Sequence, residues 1–430
     1  MTAPYAYDDD ATGRSGRVVV IGTGLAGTRL AHRLGERAVL IGEEAHAPYN
    51  RVLLAEVLAG TYPPDVIELP RSAGRRLRTR AVRIDRERRL VQCENGDEVG
   101  YDTLVLATGS NPVLPPLRGL FAPDATELPG GVHAFRTMDD CLALSSAVSE
   151  GTRAVVIGGG LLGVSAARAL ARRGAQVVLT QQSERLMERQ LDPRSSELVR
   201  RHLTALGVEI HTECRVRGVG VVDGHVRRVE LHDGYVLGTD VTVLACGVRP
   251  RIGLAQAAGL DVRKGVVVDD ALRTSDPRIH AVGDCAQHDG TVYGLATPAL
   301  EQADALADLL TGTDAAYTGT RTLTRLTLPH GGGPPCSSGA ESLGAGPLDL
   351  AAFGETEALP GDDVVQLADA TRGTYRKVVV RGDRLVGGVL VGELATVGAL
   401  AHAWESDESL PADDAVGAPL LHLLTHDGGL

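Results

Sequence analysis

Two short runs in this sequence carry glycines at a spacing suited to phosphate chemistry. Gly22-Thr-Gly24-Leu25-Ala26-Gly27 follows the apolar run 17–21, and Gly158-Gly-Gly160-Leu161-Leu162-Gly163 follows the apolar run 153–157. In such a run the first glycine permits a tight turn out of a strand. The second lets backbone approach a pyrophosphate, and the third lets a helix pack closely on the sheet. The phosphates then sit at a helix N-terminus, which carries about half a positive charge. One such run says little in a chain with 53 glycines among 430 residues. Two, each between a strand pattern and a helical pattern, point to a pair of dinucleotide sites.

Acids near the next strand end would complete each site. Glu43 stands 19 positions after Gly24, just past the strand pattern 38–41, where a carboxylate can take ribose hydroxyls. A solvated loop acid is the plainer alternative, and the strand-end position favours ribose. The equivalent slot of the second run holds Gln181 and Gln182; Glu184 and Glu188 lie beyond, with Arg185 between them. A neutral glutamine neither repels nor strongly attracts a 2′-phosphate, so the choice between NADH and NADPH stays open.

The elements that must position these residues repeat. Helical patterns at 28–34 and 164–173 lead to strands at 38–41 and 176–179. Asn95-Gly96 and Asp233-Gly234 are hairpin dipeptides. Tyr101-Asp-Thr-Leu-Val-Leu-Ala107-Thr108-Gly109-Ser-Asn-Pro112 mirrors Thr239-Asp-Val-Thr-Val-Leu-Ala-Cys-Gly247-Val-Arg-Pro250. Gly22 to Gly109 spans 87 positions and Gly158 to Gly247 spans 89. The pattern predicts two matched βαβ units, each with a hairpin insert. Beyond residue 320 strands are predicted at 363–368, 374–381 and 384–391, with a Gly382-Asp383 hairpin and a helix at 394–404.

Composition removes other classes. Hydrophobic residues at 43% and charged residues at 23% are globular values, which excludes disorder for the chain as a whole. A net charge of −12 argues against a nucleic-acid partner. Lys264 and Lys377 are the only lysines, so the positive charge is nearly all arginine. Nine arginines fall between residues 71 and 89. They could steer an acidic electron-transfer protein; a solvated hairpin face is the favoured reading. No apolar run reaches the ~18 residues of a membrane span, and no membrane association is expected. Residues 1–16 are polar, lack an apolar signal core and read as a disordered tail.

The six cysteines, Cys93, Cys141, Cys214, Cys246, Cys285 and Cys336, are all more than 30 residues apart. No CxxC pair or cluster spacing exists for zinc or iron–sulfur ligation, and the histidines show no ligand spacing, so no metal is expected. Isolated thiols suit a reducing, cytoplasmic compartment. Residues 329–345 are rich in Gly, Pro and Ser and read as a mobile insertion in which Cys336 is a bystander. Trp404 and the three phenylalanines are expected in the core.

These features resemble the two-dinucleotide-binding-domain flavoproteins of the pyridine nucleotide-disulfide oxidoreductase superfamily, over about residues 17–320. The likeness includes Leu106-Ala107-Thr108-Gly109 and Ile279-His-Ala-Val-Gly283-Asp284-Cys285. It implies an α/β fold with two Rossmann-like domains: a discontinuous FAD domain (17–116 and 246–320) and an inserted NAD(P) domain (117–245). A small C-terminal α+β domain (321–430) resembles the family's interface-type domain and allows a homodimer. The resemblance implies FAD and NADH or NADPH as cofactors. It gives Asp284 the ribityl hydroxyls, Val82 the adenine through backbone, and Gly294-Leu-Ala-Thr297-Pro298 the start of a helix facing the flavin pyrimidine. Proline suits the first turn of that helix, expected at 299–310.

A narrower likeness is to the flavin part of assimilatory NAD(P)H-nitrite reductases and to nitrate reductase electron-transfer subunits. Pro48-Tyr-Asn-Arg51-Val-Leu-Leu-Ala-Glu56, Leu186-Met-Glu-Arg-Gln-Leu-Asp192, Pro298-Ala-Leu-Glu301-Gln302-Ala303 and Gly373-Thr-Tyr-Arg-Lys377 carry it. It implies that Arg51 contacts the flavin. Glu56 stands where rubredoxin and ferredoxin reductases usually have a lysine, which favours the nitrite-reductase branch. Ser165 stands where the family usually has a glutamate near the nicotinamide, so altered nicotinamide binding is expected. The expected activity is passage of electrons from NAD(P)H through FAD to an external acceptor, a redox partner protein or a small molecule. No cysteine cluster in these residues could ligate an iron–sulfur or sirohaem centre, so nitrite reduction itself is not expected of them. Two alternatives are a flavoenzyme acting on a small N-oxygenated molecule and a non-catalytic flavin-binding partner.

Overall fold

The computed structural model describes residues 16–121, 127–328, 347–406 and 409. The tail, apart from Gly16, and the 329–345 insertion with Cys336 lie outside the described residues.

The strand Val18–Ile21 is Val and Ile throughout and wholly buried, as a strand covered on both faces requires. It runs parallel between Ala38–Gly42 and Thr103–Leu106. Arg75–Arg78 and Ile279–Ala281 close the two edges. The second sheet repeats this plan. Arg153–Ile157 lies between Gln176–Thr180 and Val241–Leu244, and Glu209–His211 and Val132–Ala134 form the edges, again all parallel. Ile279–Ala281 joins the first sheet from beyond the whole second one. The chain crosses between the sheets twice, and the crossing segments Ser110–Pro112 and Val248–Pro250 pair with each other antiparallel.

Eight α-helices accompany the sheets among the described residues: α1 (Leu25–Leu34), α2 (Leu54–Leu58), α3 (Met138–Ala147), α4 (Leu161–Arg172), α5 (Pro193–Ala205), α6 (Gly253–Ala257), α7 (Ala296–Leu310) and α8 (Val397–Glu405). Helices α1 and α4 begin three residues earlier than the apolar period indicates, directly after Gly24 and Gly160. The first turn of each lies over the glycine loop, so it carries little of the amphipathic signal. Helix α7 also starts three residues early, which places Pro298 third in the helix. A missing N–H costs nothing there, because first-turn amides have no partner within the helix. Helix α8 starts at Val397, three residues later than expected.

The third sheet is antiparallel, in the order Leu323–Leu328, Leu348–Gly354, Arg384–Val391, Thr374–Arg381, Asp363–Asp369. Its core does not stand alone. Leu350, Tyr375 and Val391 join Tyr49, Leu54 and Leu58 of the first unit and Val164 and Leu170 of the second in one apolar cluster. Trp404 packs on Phe353 at 5.3 Å between ring centres. Phe135 is buried too, whereas Phe121 departs from the core expectation at 41% exposure, on a loop beyond the crossing strand.

Candidate functional site

The two glycine loops have the same geometry. Gly22 and Gly158 adopt φ of +118° and +110°, and a side chain at either would strike the carbonyl of Ala107 or Ala245 at 2.0 and 2.4 Å. A methyl at Gly27 would lie 2.1 Å from the Gly22 carbonyl oxygen, and one at Gly163 would lie 1.7 Å from that of Gly158. First and third glycines are therefore demanded by the fold. The middle glycines differ. Gly24 and Gly160 have ordinary extended backbone, and a methyl there would meet nothing within 4 Å. The fold does not need glycine at these two positions, and glycine there leaves the backbone open to close approach by a ligand. Both loops thus present an open cradle that a dinucleotide pyrophosphate fits.

Helix ends reinforce this. Helices α1, α4 and α7 have no side-chain cap, so their first-turn amides face outward. Helices α3 and α5 are capped by Thr137 and Asp192. Helices α2, α6 and α8 are also uncapped, but neither of the two glycine loops leads into them. Gly283, at φ +76°, sits against Ala26 of α1 and Ala299 of α7, and its N–H donates to Gln302 Oε1 at 2.7 Å. The Gly283–Cys285 turn therefore brings Asp284 to where the two helix starts converge, with Thr297 and Pro298 in the first turn of α7. Gly109 and Gly247, both at positive φ, end their strands in open space. Thr108 Oγ1 donates to the Arg251 carbonyl at 2.9 Å.

Residues that sequence reasoning passed over contact the candidates near the first loop. Asp284 Oδ2 accepts from Ser110 Oγ at 2.8 Å and from Arg136 Nη2 at 2.7 Å. Glu43 follows its strand end as expected and pairs with Arg251. Arg51 pairs with Glu44 and donates to Tyr49 Oη at 3.0 Å and to the Arg136 carbonyl at 3.2 Å. The Tyr49 hydroxyl donates to Glu44 at 2.6 Å and accepts from the Met138 N–H at 2.9 Å. Burial pushes this phenol well above its ordinary range, so it stays protonated. Val82 is skipped in the register between Ala81 and Arg83, which leaves its backbone out of the ladder. It is exposed.

At the second loop, Gln181 turns inward. Its Oε1 accepts from the Gly159 N–H at 2.7 Å, so this side chain props the glycine loop and does not face a ribose. Arg185 reaches Glu357, in the loop between the third-sheet strands Leu348–Gly354 and Asp363–Asp369, at 2.9 Å. Ser165 Oγ donates to the Leu161 carbonyl of its own helix at 2.8 Å. Of the arginines between 71 and 89, Arg76 donates to the carbonyls of Glu44 and His46 and Arg86 pairs with Asp276; the others are exposed. Cys93, Cys141, Cys214, Cys246 and Cys285 are all free, and burial raises the pKa of each, Cys141 to about 11. Among the described residues no group of side chains could hold a metal ion.

The family described as pyridine nucleotide-disulphide oxidoreductase matches residues 16–303. The chain belongs to this family. Its members are FAD- and NAD(P)H-binding oxidoreductases, and the chain is an oxidoreductase of that kind. The rubredoxin NAD+ reductase C-terminal domain matches residues 340–408.

The assimilatory nitrate reductase electron transfer subunit of Bacillus subtilis is 32% identical over 394 residues, covering 88% of this chain and 48% of the relative. The nitrite reductase [NAD(P)H] of the same organism is 33% identical over 397 residues, covering 88% and 46%. The chain thus spans about half the length of these relatives. A solved ferredoxin reductase from Rhodopseudomonas palustris superposes with a TM-score of 0.77 at 27% identity, covering 91% of this chain and 95% of that one. No helix among the described residues is long and apolar enough to cross a membrane.

Proposed function

We propose that this oxidoreductase takes electrons from NADH or NADPH and delivers them to an external acceptor, a nitrate or nitrite reductase-type partner. One observation carries the reading. Two open glycine cradles lie in a chain whose described thiols are all single and held protonated by burial. A disulfide relay has no residues among them to run on. Similarity to an electron-transfer subunit over 88% of the chain supports the choice of acceptor.

In this reading Gly22, Gly24, Leu25, Ala26 and Gly27 hold the FAD pyrophosphate at the start of α1. Glu43 takes the adenosine ribose, released from Arg251, and Val82 meets the adenine through backbone. Ala107, Thr108 and Gly109 line the strand end that returns to the loop. Gly283 and Asp284 take the ribityl chain, with Arg136 and Ser110 orienting the carboxylate. Arg51 faces the flavin ring, held by Glu44 and Tyr49. The start of α7, at Thr297 and Pro298, supplies outward amides for negative charge at the pyrimidine edge. Gly158, Gly160, Leu161, Leu162 and Gly163 hold the nicotinamide nucleotide, and Gly247 ends the opposing strand. Bound FAD supplies the chemistry that accepts a hydride and releases electrons singly.

Ser165 is neutral and supplies no charge to the nicotinamide, and its hydroxyl proton is already donated within its own helix. This favours weaker or altered nicotinamide binding. It also motivates a second reading, a flavoenzyme that reduces a small N-oxygenated molecule. A cytoplasmic location and a homodimer through the third domain belong to the proposal as well. The test is an acceptor screen on the protein reduced anaerobically by NADPH or NADH. Reoxidation by a nitrite reductase-type iron–sulfur partner supports the main reading. Reoxidation by N-oxygenated small molecules alone replaces it with the second.

A further inference from the structure

Helix α2 lies in the connection between two strands of the first sheet, just after Arg51. It docks on α4, the helix that carries the glycine loop of the second sheet. The seam is built from arginine. Arg168, wholly buried on α4, forms an ion pair with Glu56, whose side chain is 12% exposed. One turn on, Arg172 Nη1 donates to Thr61 Oγ1 at 3.0 Å, and Thr61 in turn donates to Glu56 Oε2 at 3.0 Å. Arg173, just past α4, donates to the Leu58 carbonyl at the end of α2 at 3.4 Å. It also donates to the carbonyls of Ser145 and Val148 at 2.8 and 3.2 Å. Ser165 lies one turn before Arg168 on the same helix.

A buried ion pair contributes little net stability over an apolar contact of equal volume, because both charges lose their water. What it adds is fixed geometry. Three successive arginines gripping residues 56–61 leave α4 little freedom to slide or tilt against α2.

We infer that Glu56 and Arg168, supported by Arg172 and Arg173, are positioning residues that hold the nicotinamide-side glycine loop at a set distance from the Arg51 segment. The inference rests on the function proposed above. There a hydride with both its electrons leaves nicotinamide C4 for the flavin ring, giving NAD(P)+ and reduced flavin. A shift of about 1 Å in such a donor–acceptor pair lowers the rate on the order of 100-fold. In this inference Glu56 and Arg168 act through the helices they join.

The experiment compares wild type with Glu56→Gln, Arg168→Met, Arg168→Lys and Arg172→Met. Flavin reduction is followed by stopped flow over a range of NADH and NADPH concentrations. Hydrogen exchange is measured on the flavin-free protein. For Glu56→Gln and Arg168→Met the limiting reduction rate should fall about 10- to 100-fold, with apparent nucleotide affinity within about twofold of wild type. Arg168→Lys should recover part of the loss, and Arg172→Met should show a smaller one. Exchange should rise together in residues 54–62 and 161–173. Unchanged limiting rates, or a loss carried wholly by nucleotide affinity, would overturn the inference. If Arg168→Met does not fold, Glu56→Gln and Arg172→Met carry the same test. Should wild type itself resist reduction, the functional reading fails; the exchange measurement then decides the clamp, and unaltered exchange in either segment refutes it.

Discussion

The middle glycines offer the sharpest perturbation, because the structure gives them no packing duty. Gly24 has φ −77° and Gly160 has φ −78°, which alanine adopts freely, and a methyl at either meets nothing within 4 Å. Alanine at a compatible glycine position stabilises by about 0.4–1 kcal/mol through the unfolded chain. Gly24→Ala and Gly160→Ala should therefore fold as well as wild type, with flavin-free melting temperatures equal or slightly higher. The ligand meets a different surface. A methyl in the cradle holds the pyrophosphate off the loop and loses one or two charge-assisted hydrogen bonds, each worth about 1.5–3 kcal/mol. A loss of that size weakens binding about 10- to 150-fold per bond. Gly24→Ala should lose FAD and keep nicotinamide nucleotide affinity. Gly160→Ala should keep FAD and lose nicotinamide nucleotide affinity. Gly27→Ala is the control: its methyl would sit 2.1 Å from a carbonyl oxygen, so folding itself should suffer. Flavin content from absorbance, nucleotide affinity by titration and melting of the flavin-free protein read all three variants. If both middle-glycine variants retain both ligands at wild-type affinity, the cradles are not the binding sites and the reasoning is refuted.

Two further outcomes follow from buried polar groups. Burial pushes the Asp192 carboxylate up, but hydrogen bonds from Ser195 and Tyr375, with Lys377 at 3.3 Å, bring its pKa below the ordinary value. Its stabilisation is thus complete above the unfolded carboxylate pKa and is lost as pH falls through the lower folded value. Tyr375→Phe should cost about 1–3 kcal/mol in urea melts at neutral pH and move the acid-unfolding limb to higher pH; an unmoved limb contradicts the assignment. Thiols raised by burial should be slow nucleophiles. In a Cys336→Ser variant, Ellman's reagent should find the other five thiols far more slowly in native than in denatured protein, and a fast native reaction would show a reactive thiol that the structure does not provide.

The sequence made the local parts of this molecule readable. Residues 374–381 and 384–391 are read as strands, and the structure has strands with those bounds, because a turn dipeptide and a continuous apolar run are local signals. Both glycine loops were legible for the same reason. Helix starts were not, since the first turns of α1, α4 and α7 lie over loops and carry no apolar period. Partners distant in sequence were also out of reach. Arg136 meets Asp284 across 148 positions and Arg168 meets Glu56 across 112, and nothing in the spacing of either pair announces it. Gln181 occupies the acid slot in the sequence pattern, but its turn onto the Gly159 N–H, across 22 positions, is a tertiary contact that no local spacing encodes. The likeness of residues 186–192 and 373–377 to one branch of the family had no structural meaning until Tyr375 and Lys377 were seen to converge on Asp192.

The central claim is that one chain holds a flavin and a nicotinamide nucleotide close enough for hydride transfer. Anaerobic stopped-flow mixing of the FAD-loaded protein with NADH and with NADPH tests it most directly. The account predicts bleaching of the flavin absorbance with at least one nucleotide, saturable in nucleotide concentration and abolished or strongly slowed in Gly160→Ala. A flavin that is bound yet never bleaches with either nucleotide would contradict it.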